Sequence, residues 1–194
     1  MKVSVEERIN LFFRNKVNIP IGTWLAKKSI SPNDITTIGI FASIAAALLT
    51  VIFGLFVGAF AILISSLPDL FDGAVAKVNH CSTKLGAVMD DVADRSGEFI
   101  YFGAILWLES NISIYLAAAT SFLVSYLAAS AKSQDYKMSS GAIWGRPARI
   151  VLLFILMLAS PWLKISFTIW AIIVLNIYTF TKRWFEIKRQ NISL

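Results

Sequence analysis

The sequence predicts an all-α integral membrane protein, a bundle of six transmembrane helices preceded by an interfacial amphipathic helix. Three observations predict it. Hydrophobic residues make up 57% of the chain and charged ones only 15%, too little polarity for a water-soluble surface. The apolar residues fall in runs of about 20, enough to cross a hydrocarbon core at about 1.5 Å per residue. Lysine and arginine gather on one side of the resulting map. The 194 residues contain no repeat, low-complexity linker or compositional break. The whole chain, 1–194, therefore reads as a single membrane domain with residues 1–30 as its interfacial segment.

That first segment mixes Ile9, Leu11, Phe12, Phe13 and Val17 with Glu6, Glu7, Arg8, Arg14 and Lys16. Such a pattern suits a helix lying in the headgroup plane; a disordered basic arm is the other reading. It is not a signal peptide, because it carries acidic residues and lacks a continuous apolar core and a small-residue cleavage site. The six spans run from Asn33 to Val57, Gly58 to Lys77, Thr83 to Leu108, Ile112 to Lys132, Arg146 to Trp162 and Ile165 to Lys182. FGLFVG makes a very tight connection between the first two, and SPN, ESN and SPW mark turns. Ser82 is the expected cap of the third span.

Orientation follows from loop charge. With the N-terminus cytoplasmic, Lys2, Arg8, Arg14, Lys16, Lys27, Lys28, Lys77, Lys84, Lys132, Lys137, Arg146, Arg149, Lys182, Arg183, Lys188 and Arg189 lie on or near that face. The opposite face keeps little beyond Glu109 and Lys164. Both termini are expected on the cytoplasmic side. The net charge of +6 is then the charge of cytoplasmic ends and loops, and no nucleic-acid partner is expected. Cys81 is the single cysteine, so no internal disulfide forms.

One segment breaks the apolar pattern: LPDLFDGAVAKVNHCSTKLGAVMDDVADR, from Leu67 to Arg95. Asp69 and Asp72 stand three apart at the cytoplasmic end of the second span, and Asp90 and Asp94 four apart at the start of the third, so each pair shares a helix face. The short loop between sets the helices antiparallel, and four carboxylates can point into one space. An aspartate at a membrane helix centre costs about 2.5–3.5 kcal/mol, and four on the order of 10 kcal/mol. Hard divalent cations, which take oxygen ligands, are the natural counterions. Asp–Lys pairing through Lys77 and Lys84 is the alternative, but two lysines cannot balance four aspartates. His80 and Cys81 are too few for a zinc site. Gly73 and Gly86 would let a phosphate or another backbone come close. Beside them, Lys77 adds positive charge suited to a diphosphate leaving group.

These residues resemble the signature of the CDP-alcohol phosphotransferases, D-x2-D-G-x2-A-R-x8-G-x3-D-x3-D. Asp69, Asp72, Gly73, Ala76, Gly86, Asp90 and Asp94 match it at every spacing, and Lys77 stands where the family has arginine. Lys77 keeps the charge but not the bidentate fork. The resemblance implies six spans, an interfacial N-terminal helix and a homodimer. It implies transfer of a phosphatidyl-type group, diacyl or ether-linked, from a CDP-linked lipid to an alcohol, with release of CMP. Asp69, Asp72, Asp90 and Asp94 would bind Mg²⁺ or Mn²⁺, two ions in all, with Asp94 also the general base toward the acceptor hydroxyl. Gly73, Ala76, Lys77 and Gly86 would shape the CDP-lipid site. SPNDIT is similar to a family element near the nucleotide, which adds Asn33 and Thr36; a plain helix cap explains the same segment equally.

The acceptor is read from a second cluster. Lys132, Arg146 and Arg149 lie on the cytoplasmic side, and basic side chains there suit a phosphate on the acceptor; ordinary positive-inside charge is the alternative. Ser125, Tyr126, Arg146, Pro147 and Arg149 resemble the layout of the inositol-phosphate-using subgroup, although Ala128 and Ser130 stand where some relatives carry Lys and Arg. Inositol phosphate is the favoured acceptor, then glycerol phosphate, then serine. Glu98 either supports the site or hydrogen-bonds within the bundle. A cation transporter is the reading from another class, since intramembrane carboxylates also make ion paths. The carboxylates cluster at one face without a broken-helix repeat, which argues against it.

Overall fold

The computed structural model describes residues 20, 31–68, 83–136 and 144–192. Among them every regular element is a helix: α1 Pro32–Phe53, α2 Leu55–Ser65, α3 Lys84–Glu109, α4 Ile112–Ser133, α5 Arg146–Leu158, α6 Ile165–Thr168 and α7 Trp170–Ile192. The amphipathic segment expected over 1–30 lies outside the described residues apart from Pro20. The described residues form two compact units, one from 31–42, 65–68 and 83–94 and the other from 43–64, 95–136 and 144–192.

In the first unit, α1 starts at a reciprocal cap. The Asp34 carboxylate accepts from Ser31 N at 2.9 Å, and Ser31 Oγ accepts from Asp34 N at 3.2 Å. Two otherwise orphaned backbone donors are thereby satisfied, with Pro32 at the first helical position, where no amide proton is needed. The helix-cap reading of SPNDIT is thus correct for Ser31 and Asp34. The start of α3 is capped by Thr83, one residue beyond the expected Ser82: its Oγ1 accepts from Gly86 N at 2.9 Å.

The second unit holds the apolar core. Tyr101, Phe102 and Ile105 of α3 pack with Ile114 and Ala117 of α4, Ile150, Leu153 and Met157 of α5, and Ile165, Ile169 and Ile172 around α6 and α7. Facing positions recur at helical spacing, which is why each helix seals one stripe and leaves the rest outward. The connection from α1 to α2 is tighter than FGLFVG suggested. Gly54 alone makes the turn at φ +84°, so α2 begins at Leu55 rather than Gly58. Gly58 instead packs against Thr50, and a Cβ there would overlap the threonine side chain. Asn111 caps α4 by accepting from Ser113 N at 2.9 Å, and Gly145 precedes α5, with Pro147 in its first turn. The last predicted span extends well past Lys182, since α7 runs to Ile192.

Segments 33–53, 112–133 and 165–190 are long and apolar enough to cross a bilayer, and α2 is a shorter apolar helix. Large apolar side chains face outward, among them Phe41, Ile52, Trp107, Phe122, Phe167 and Val174. That surface belongs in lipid rather than water. The protein is an integral membrane protein.

Candidate functional site

In the first unit the N-terminal ends of α1 and α3 meet. A Cβ added to Gly86 would lie 3.1 Å from Thr83 Oγ1 and 3.3 Å from Asn33 Oδ1. Asn33 and Gly86, assigned to one site from separate stretches of sequence, are brought together here. Asn33 is exposed, whereas Thr36 is buried on the same helix. Asp90 and Asp94 follow Gly86 one and two turns along α3, both partly buried. Asp69, Asp72, Gly73, Ala76 and Lys77 lie outside the described residues.

Asp90 supplies a test of metal binding. Its Oδ1 is buried and has no hydrogen-bond donor among the described residues. A buried carboxylate oxygen costs free energy unless a proton donor or a cation reaches it. Oxygen donors of this kind suit hard divalent ions. No three candidate ligands converge among the described residues, and two of the four signature aspartates are not among them. The residues present fit a divalent cation.

In the second unit a polar cluster sits where α3, α4, α5 and α7 contribute to one network. Arg149 is 2% exposed and Glu98 4%. Arg149 Nε donates to Glu98 Oε1 and Nη2 to Oε2, both at 2.7 Å, and Nη2 also donates to Ser125 Oγ at 2.7 Å. Arg95 donates to the Ser125 carbonyl at 3.2 Å, and Arg183 Nη1 to the Val124 carbonyl at 3.0 Å. Arg183 is itself buried, feels the like charge of Arg149, and keeps an Nε without a partner among the described residues. Arg146 opens α5, and its Nη2 lies 3.7 Å from where a Cβ on Gly97 would stand. Lys132 is in the exposed last turn of α4.

Sequence reading singled out Arg149 but not what holds it. Its fork is engaged by Glu98, a residue 51 positions away, which no local spacing rule connects. Arg183 was visible only as one more cytoplasmic charge. Its place on α7, seven residues after Asn176 and four after Thr179, was the signal available: all three are buried at helical spacing.

Residues 29–181 match the model of the CDP-alcohol phosphatidyltransferase family. The chain belongs to this family. The matched stretch contains every signature position and extends through Arg149. Among curated relatives, a phosphatidylinositol phosphate synthase from Mycobacterium marinum is 31% identical over 146 residues, covering 71% of this chain and 62% of the relative. An archaetidylinositol phosphate synthase from Pyrococcus horikoshii is 28% identical over 182 residues, covering 91% of this chain and 95% of the relative. Thus the chain spans less than two thirds of the mycobacterial relative's length and nearly all of the archaeal one's. Among solved structures, the phosphatidylinositol phosphate synthase of Mycobacterium tuberculosis with CDP-DAG bound superposes with a TM-score of 0.77 at 26% identity, covering 89% of this chain and 94% of that one. The same enzyme was also crystallised in complex with manganese and citrate.

Proposed function

We propose that this family member transfers a phosphatidyl-type group from a CDP-linked lipid to inositol phosphate and releases CMP. The observation that carries this reading is the likeness, in sequence and in fold, to phosphatidylinositol phosphate synthases, one of them solved with CDP-DAG bound. Asn33, Thr36, Gly73, Ala76, Lys77 and Gly86 form the CDP-lipid site. The approach of Asn33 to Gly86 supports this, because a Cβ on Gly86 would stand 3.3 Å from Asn33 Oδ1, so the two stretches lie side by side.

Asp69, Asp72, Asp90 and Asp94 hold two divalent ions, Mg²⁺ or Mn²⁺. When bound, these ions neutralise the diphosphate and the charge that develops on the departing CMP. Asp94 takes the proton from the acceptor hydroxyl. That oxygen bonds to the lipid-side phosphorus, and the phosphorus–oxygen bond to CMP breaks with its electron pair leaving on CMP. Lys132, Arg146 and Arg149 bind the acceptor phosphate, with Arg183 joining them because its buried Nε has no partner among the described residues.

The chain works as one domain, 1–194, with α1 and α3 each contributing to both compact units. It spans the membrane six times behind an interfacial N-terminal helix, with both termini and the active site cytoplasmic, and it pairs as a homodimer. The positive-inside charge distribution supports the orientation.

Mass spectrometry of the lipid product tests the reaction. Purified protein in liposomes is given CDP-diacylglycerol or its ether-lipid counterpart, with inositol phosphate, glycerol phosphate or serine. A lipid carrying inositol phosphate is expected. A product formed only with glycerol phosphate or serine would overturn the acceptor assignment.

A further inference from the structure

Resting on the acceptor site just proposed, we infer that Glu98 is a positioning residue for the acceptor's phosphate. It fixes which edge of Arg149 meets the ligand and tempers the positive charge that the ligand meets.

Geometry gives the first half of the argument. A guanidinium carries five N–H donors in a planar fork. Glu98 engages one on Nε and one on Nη2, both at 2.7 Å, and Ser125 Oγ takes the second on Nη2 at 2.7 Å. Among the described residues the two protons of Nη1 take no partner, and they remain for a ligand. Arg149 is 2% exposed, so the packed fork presents that edge alone. A bidentate carboxylate is the partner that can hold a planar guanidinium in one orientation.

Charge gives the second half. Arg149 and Arg183 donate to consecutive residues of α4, Ser125 and Val124, and Arg183 feels the like charge of Arg149. A phosphate monoester, with about 1.5–2 negative charges at neutral pH, relieves that repulsion, and Glu98 tunes it through Arg149.

The test is a double-mutant cycle on steady-state CMP release. Glu98→Gln removes the charge and turns one acceptor oxygen into a donor. The KM for inositol phosphate is expected to rise about tenfold, while the KM for CDP-diacylglycerol and kcat change by less than about twofold. In the Glu98→Gln/Arg149→Gln double variant, the acceptor KM is expected to equal that of Arg149→Gln alone, because Glu98 acts only through Arg149. An unchanged acceptor KM in Glu98→Gln, or equal increases in both KM values, would overturn the inference and leave a purely structural ion pair. If Glu98→Gln does not purify as folded protein, Glu98→Asp retains the charge but shortens the reach. It should raise the acceptor KM about threefold, and an unchanged value contradicts the inference equally. Wild-type turnover together with a raised acceptor KM in Arg149→Gln separates failure of this inference from failure of the acceptor reading. If either is missing, both fall.

Discussion

Asp90 holds a buried carboxylate oxygen that no donor satisfies among the described residues, and a single substitution can show what satisfies it. Asp90→Asn should raise the divalent-ion concentration for half-maximal activity by about tenfold or more, measured by titrating Mg²⁺ or Mn²⁺ into metal-free enzyme. Equal metal dependence in variant and wild type would remove Asp90 from the ligand set. Gly86 is tested differently. Its missing side chain faces Asn33 Oδ1 and Thr83 Oγ1 at 3.3 and 3.1 Å. Gly86→Ala forces those neighbours apart by a few tenths of an ångström, and such overpacking costs about 1–3 kcal/mol. A CDP-lipid KM raised about tenfold is expected, with the inositol phosphate KM unaffected. At this scale the sequence was most informative where spacing along one helix sets a shared face, as for Asp90 and Asp94. It was least informative for Glu98 and Arg149, whose pairing exists only after two distant helices pack.

Helix positions were legible and helix ends less so. The third, fourth and fifth spans begin within one residue of the expected points, because Thr83, Asn111 and Gly145–Arg146–Pro147 carry recognisable start chemistry. The turn between α1 and α2 was misplaced by three residues, since FGLFVG offers two glycines and hydropathy does not distinguish them. Gly54 turns the chain at φ +84°, while Gly58 is needed for close packing on Thr50. Two stability predictions follow at this scale, both read by thermal unfolding in detergent. Gly54→Ala places a Cβ in the left-handed region and should cost about 1–2 kcal/mol. Ser31→Ala removes half of the reciprocal cap on α1 and should cost about 0.5–2 kcal/mol. Loss of activity without loss of stability in Ser31→Ala would instead tie the SPNDIT segment to the nucleotide.

For the molecule as a whole, the candidate residues divide between the two compact units. Among the described residues, Asn33, Gly86, Asp90 and Asp94 belong to the first, and Glu98, Arg149 and Arg183 to the second. Membrane character was plain from composition, and the outward apolar side chains agree with it. The count of spans was not settled in the same way, because α2 and α5 are short and α3 carries Lys84, Asp90, Asp91, Asp94, Arg95 and Glu98. Charge within a spanning helix lowers its hydropathy. The central claim is that the signature aspartates transfer a lipid-linked phosphoryl group from CDP to an alcohol. Its most direct measurement is CMP release by purified protein in liposomes containing CDP-diacylglycerol, with inositol phosphate and Mg²⁺, run beside Asp94→Asn. The predicted result is release that chelation abolishes, with kcat about 10²–10⁴-fold lower in Asp94→Asn. CMP release at the wild-type rate from Asp94→Asn, or release indifferent to chelation, would contradict the account.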